Sequence, residues 1–100
     1  MSYEQVAEHM LTEPGVLEGK MFGMDCLKAG GKVFAGRWEE GRLVVKLPRE
    51  RVEELIASGE GEVFSPMAGR AMKEWVLVRA PEESWPALAD EGRRFVNPSI

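Results

Sequence analysis

An α+β domain, with three helices packed on one antiparallel sheet, is the fold class this sequence predicts, and three observations carry the prediction. Apolar residues recur at helical spacing in three segments, at the beginning, the middle and the end of the chain. Between these segments, short apolar runs alternate with glycine turn signals, a pattern of hairpins and not of βαβ units. At 100 residues, 44% hydrophobic and 30% charged, the chain has enough apolar material for one modest core and is too short for a second functional domain. Residues 1–100 therefore read as a single domain that needs neither metal nor disulfide to fold.

Each element follows in order. Ser2 is a helix cap, and Gln5 three residues on completes a capping box. Behind it Tyr3, Val6, Ala7, Met10 and Leu11 share one stripe, so the chain begins with a short amphipathic helix that Pro14 and Gly15 stop. From Val16 to Leu47 the runs KMFGMDCLK, KVFAGRW and RLVVKL are separated by AGG and EEG, which predicts a three-stranded antiparallel meander. In its last strand Leu43, Val45 and Leu47 alternate with Arg42 and Lys46, so one face is buried.

Pro48 opens a second helix with the stripe Val52, Leu55 and Ile56, and Gly59 closes it. GEGEVFSP runs into a short strand and MAGRA is a loop. KEWVLVR is a strand with apolar residues on both faces, which assigns it a central place in the sheet. After Pro81, Ser84 is a candidate cap, and Trp85, Leu88, Ala89, Gly92, Phe95 and Val96 form the third helical stripe. The predicted order is α-β-β-β-α-β-β-α.

The formal net charge of −4 disfavours direct DNA binding, since the protein's field repels a phosphate backbone. The single cysteine, Cys26, cannot form an internal disulfide, and the N-terminus lacks both a basic and an apolar leader region. With no apolar run near the length of a membrane span, the chain reads as soluble and cytoplasmic. Acidic charge comes almost wholly from glutamate, and Gln5 and Asn97 are the only side-chain amides, a composition that a thermophile's protein tends to show, although the six methionines run against that trend.

Candidate chemistry is sparse. The run Gly15 to Met21 has the form G-x-x-x-G-K-M, one residue shorter than a phosphate-binding loop, without its hydroxyl, and leading into a strand in place of a helix. Cys26 lies mid-strand in register with Phe22 and Met24 and reads as a small buried hydrophobe, because a nucleophilic thiol needs a base and His9 is the only histidine. One histidine and one cysteine without ligand spacing make no zinc site. The glutamate pairs read as solvated charge. No catalytic residue, metal or cofactor is assigned.

Two features stand out. Met21, Phe22 and Met24 form one cluster, and Met67, Met72 and Trp75 form a second. Methionine fills irregular gaps in cores and also coats adaptable binding surfaces; core is the default reading. The loop PMAGR places Gly69, free to take positive φ, before Arg70, and Arg70 with Lys73 offers cations to a carboxylate or phosphate, with Trp75 as an aromatic wall.

Read jointly, EPGV, KMFG, the strand pair VFAG and RLVVKL, the stretch PMAGRAMKEWVLV and a final tryptophan-containing helix resemble the N-terminal domain of the TfoX/Sxy family. The resemblance covers nearly the whole chain and rests on the spacing of K-M-F-G with P-M-x-G-R-x-M-x-x-W. It implies an α+β fold similar to the secretion-chaperone class: helix, three strands, helix, two strands, helix. The family takes its name from regulators of natural DNA uptake, whose longer members add a C-terminal helical domain, so this chain is expected to be a stand-alone single-domain member. Met24 departs from the pattern by replacing the second glycine of K-M-F-G-G. The family offers no catalytic residues to carry over.

The expectation is a non-catalytic regulatory or protein-interaction domain, self-associating or bound to a protein partner, with a surface drawn from Met21, Phe22, Met67, Gly69, Arg70, Met72, Lys73 and Trp75. The alternative is a binding protein or enzyme for a small anion, using the Arg70/Lys73 loop.

Overall fold

The computed structural model describes residues 2–67 and 69–98. Helix α1 (Tyr3–Met10) starts at the capping box: the Gln5 amide donates to Ser2 Oγ at 3.3 Å, and the Ser2 amide donates to Gln5 Oε1 at 2.9 Å. Its buried stripe is Tyr3, Val6, Ala7 and Met10.

The first predicted strand is two strands. β1 (Val16–Met21) and β2 (Met24–Ala29) form a hairpin that pairs Met21 with Met24 and turns on Phe22 and Gly23. Both turn residues have positive φ, 52° and 74°, the signature of a type I′ turn. The usual sequence sign of such a turn is Asn-Gly or Asp-Gly, and a bulky aromatic at its first position is disfavoured by the left-handed backbone. Period-two reading therefore runs straight through KMFGMDCLK, and the meander gains a strand. As a result Cys26 shares its strand with Met24 but not with Phe22.

The meander continues through β3 (Lys32–Trp38) and β4 (Arg42–Lys46), followed by α2 (Arg49–Ala57), β5 (Gly61–Val63), β6 (Trp75–Val78) and α3 (Trp85–Val96). The sheet is antiparallel throughout, in the order β1-β2-β3-β4-β6-β5. The α+β class is as the sequence predicts, with six strands where it predicts five. β6 lies inside the sheet with all four residues buried, as its two apolar faces require. Among the described residues no helix is long and apolar enough to cross a membrane.

The sheet has two covered faces. On the inner face, the three helical stripes pack against Leu27, Phe34, Leu43, Val45, Val76 and Val78. Alternation along β4 and β6 sends Val44, Trp75 and Leu77 the other way, into a second cluster with Met24 and Phe64. Among the described residues no helix contributes to that outer cluster. Phe64 and Met72, on the outgoing and returning limbs of the connection between β5 and β6, pack in it, and their backbone bond folds that connection back as a strap.

Candidate functional site: a strap over the outer face and the groove beside it

Phe64 anchors the strap. Its ring is 1% exposed and meets Trp38 edge-on, with centroids 5.0 Å apart at 86°, and Trp75 at 6.2 Å. These are favoured aromatic geometries. The Met72 amide donates to the Phe64 carbonyl at 2.9 Å and the Trp75 amide to the Met72 carbonyl at 3.1 Å, so the returning limb is bonded to the outgoing one. At the tip the Arg70 amide donates to the Met67 carbonyl at 3.0 Å, and Gly69 takes φ 80°. The Ser65 hydroxyl lies 3.2 Å and 2.8 Å from the Met67 and Arg70 carbonyls and braces the neck of the loop.

This arrangement distributes the sequence-derived residues. Met24 is buried, and Met21 and Met72 are half-buried against the same outer cluster, which also holds Trp75. The KMFG and PMAGRAMKEW motifs, distant in sequence, thus meet in one cluster. Phe22, 49% exposed, is outside it at the tip of the β1–β2 hairpin, and Met67, 55% exposed, is at the tip of the strap. Gly69 and Arg70 share the strap tip and are exposed. Trp38 and Phe64, the two rings that complete the cluster, are not among the residues singled out from sequence; each lies beside a turn signal, and nothing local distinguishes such a ring from an ordinary strand side chain.

Between the strap and α2 runs a groove of about 190 Å³, lined by Arg49, Val52, Ile56, Val63, Met72, Lys73 and Trp75 among others. Its walls are mainly apolar, and Val63 is 55% exposed along it. Arg49 is paired with Glu53, Nε to Oε2, at 3.2 Å. Lys73 makes no ion pair among the described residues, which leaves its ammonium as the groove's uncommitted charge. Lys73 and Trp75 therefore share the groove, whereas Arg70 is outside its lining.

A second concavity, about 370 Å³, opens at the hairpin tip between Lys20, Phe22, Asp25, Arg37 and Trp38. Its cations are already paired, and Glu39 adds a further carboxylate to the lining. Lys20 is ion-paired with Asp25, which holds the Asp25 carboxyl below its ordinary value and raises the Lys20 ammonium. Arg37 is paired with Glu4 of α1 at 3.1 Å. An anion entering there would compete with carboxylates in place.

Cys26 is buried, and burial pushes its thiol up from the ordinary value. That is the reverse of the shift that activates a nucleophile. His9 is exposed on the polar side of α1. No family model, curated protein or solved structure matches this chain.

Proposed function

We propose that this protein is a non-catalytic regulatory domain of the TfoX/Sxy N-terminal type that docks a protein segment in the groove between α2 and the strap. The observation that carries the reading is the groove itself: an apolar channel of Val52, Ile56, Val63, Met72 and Trp75, open along one side, with one unneutralised cation at Lys73. Adaptable methionine and a tryptophan wall suit an apolar side chain of a partner, and the lysine suits a neighbouring carboxylate. The family part of the proposal is supported by the order and spacing of the two motifs and by their meeting in one cluster.

The test is affinity capture with the intact chain and with Val63→Glu, a rim substitution at an exposed position. A protein recovered on the parent and lost on the variant, with the melting temperature unchanged, is the expected result. Equal recovery on both overturns the groove as the docking site.

A second reading is favoured by the shared placement of Lys73 and Trp75: a small anionic molecule held by the ammonium against the indole. It predicts a melting shift with acidic metabolites or nucleotides that Lys73→Ala removes. Unchanged melting at saturating concentrations of such compounds excludes it.

A further inference from the structure

At the opposite margin of the sheet from the groove, β1 is an uncovered edge strand, and its register is self-complementary. A two-residue turn bonds the Met24 amide to the Met21 carbonyl, so Met21, Gly19 and Leu17 point their backbone groups at β2. The alternate residues Val16, Glu18 and Lys20 point theirs outward. The Val16 amide is already bonded to the Glu13 carbonyl at 3.3 Å, in keeping with this alternation. Glu18 and Lys20 are left with outward N–H and C=O groups on an edge that carries no proline and no bulge; the irregularity of this hairpin region lies between β2 and β3, at Leu27 and Lys28. Of the devices by which natural sheets blunt an edge, this strand carries only charged side chains, Glu18 and Lys20.

The side chains select a partner. Cross-strand neighbours in an antiparallel pair point to the same face. If a second β1 is laid antiparallel with Gly19 opposite Gly19, Glu18 faces Lys20 and Lys20 faces Glu18 on the inner-face side. On the outer-face side, Leu17, 67% exposed, faces Met21. Shifting the two-fold to Glu18 opposes two glutamates, and shifting it to Lys20 opposes two lysines. Only the Gly19-centred register pairs unlike charges, joins apolar to apolar, and matches the outward backbone groups at 18 and 20 on both strands. Glu18 makes no ion pair within the chain among the described residues, and in this register it would meet the second copy's Lys20, an ammonium that holds Asp25 across its own hairpin and has donors left for a second carboxylate.

We propose that β1 is a homodimerisation edge: two copies pair antiparallel about Gly19, fusing their sheets into one and extending the Met21/Met24 margin of the outer cluster across the two-fold. The contact is independent of the groove. It is short, at the small end of specific interfaces, so association in the range of roughly 10–100 μM is expected.

The test is a charge swap on the intact chain, read by sedimentation and by amide exchange. Glu18→Lys and Lys20→Glu each oppose like charges twice and weaken the dimer about tenfold or more. The combined variant E18K/K20E/D25K restores it, because exchanging Asp25 as well keeps the pair that position 20 makes across its own hairpin while the pairs between copies are re-formed with exchanged signs. In the parent protein, the Glu18 and Lys20 amides gain protection as concentration rises. Circular dichroism confirms that each variant is folded. A parent chain that stays monomeric at about 1 mM overturns the proposal, since that concentration is about ten to a hundred times the expected constant. So does a dimer indifferent to the single swaps, or one that the combined swap fails to rescue.

Discussion

Phe22 shows how much a single residue can hide. Its φ of 52° places an aromatic side chain in a conformation that costs an L-residue about 1–2 kcal/mol, and at 49% exposure its ring recovers only part of that by packing. Asparagine tolerates this backbone and suits a type I′ turn before glycine. Phe22→Asn is therefore expected to raise stability by about 0.5–1 kcal/mol in urea denaturation, while removing an exposed ring that a partner could grip. Tyr3 and Cys26 set a different dependence. Burial raises both above their ordinary values. The unfolded chain therefore loses these protons first, the folded state binds more, and stability falls as pH climbs above about 9. Urea midpoints at pH 8 and at higher pH read the decline, and Tyr3→Phe, which removes the only tyrosine, flattens it.

At the scale of the elements, α3 is held close to the sheet by an absence. Gly92 lies mid-helix, where alanine would ordinarily gain up to about 1 kcal/mol in helix propensity. Here a Cβ would meet Val45 Cγ1 at 2.7 Å and the carbonyl oxygens of Phe34 and Lys46 at 2.9 and 3.0 Å. Backbone carbonyls cannot turn aside, so overpacking outweighs propensity. Gly92→Ala is expected to lower stability by about 1–3 kcal/mol, measured by chemical denaturation. The same helix is fixed laterally by charge. Arg51 of α2 reaches Glu91 of α3 through two bonds at 2.9 and 3.2 Å, and the buried Arg93 holds Asp90 at 2.7 Å with Glu13 at 3.6 Å. The Trp85 indole donates to the Ala80 carbonyl at 3.1 Å and sets the start of the helix.

The whole molecule is a sheet with unequal covers, helices on one face and a strap on the other, which gives the strap a structural duty beside any docking one. Phe64 is its buried anchor among the described residues. Phe64→Ala is expected to cost about 3–5 kcal/mol, a large share of a small domain's total stability. It should also strip hydrogen-exchange protection from the Met72 amide, which bonds to the Phe64 carbonyl, before it exposes the helical face. Loss of protection spread evenly through both faces would show that the two clusters form one cooperative unit. The two margins of the sheet also divide the proposals. The groove lies at the β5 side and the self-complementary strand at the β1 side, so a variant in one leaves the other available as a control.

Much of this architecture is written in local pattern. The capping box at Ser2 and Gln5, the three helical stripes, the alternation of Leu43, Val45 and Leu47, and the two apolar faces of Trp75–Val78 each follow from periodicity, because side-chain direction repeats with the backbone whatever surrounds it. The turn at Phe22 and Gly23 escapes that logic, since its geometry is imposed by the pairing of β1 with β2 against the residue's own preference. Phe64 escapes it too. In VFSP it looks like any strand residue, and what makes it an anchor is Trp38 and Trp75, brought together by sheet order and not by spacing. The methionines could be read from sequence as core or surface. The tertiary structure made Met24 core, left Met21 and Met72 at its margin and put Met67 in solvent, because burial is decided by which face a strap covers, a non-local property that no period in the chain encodes.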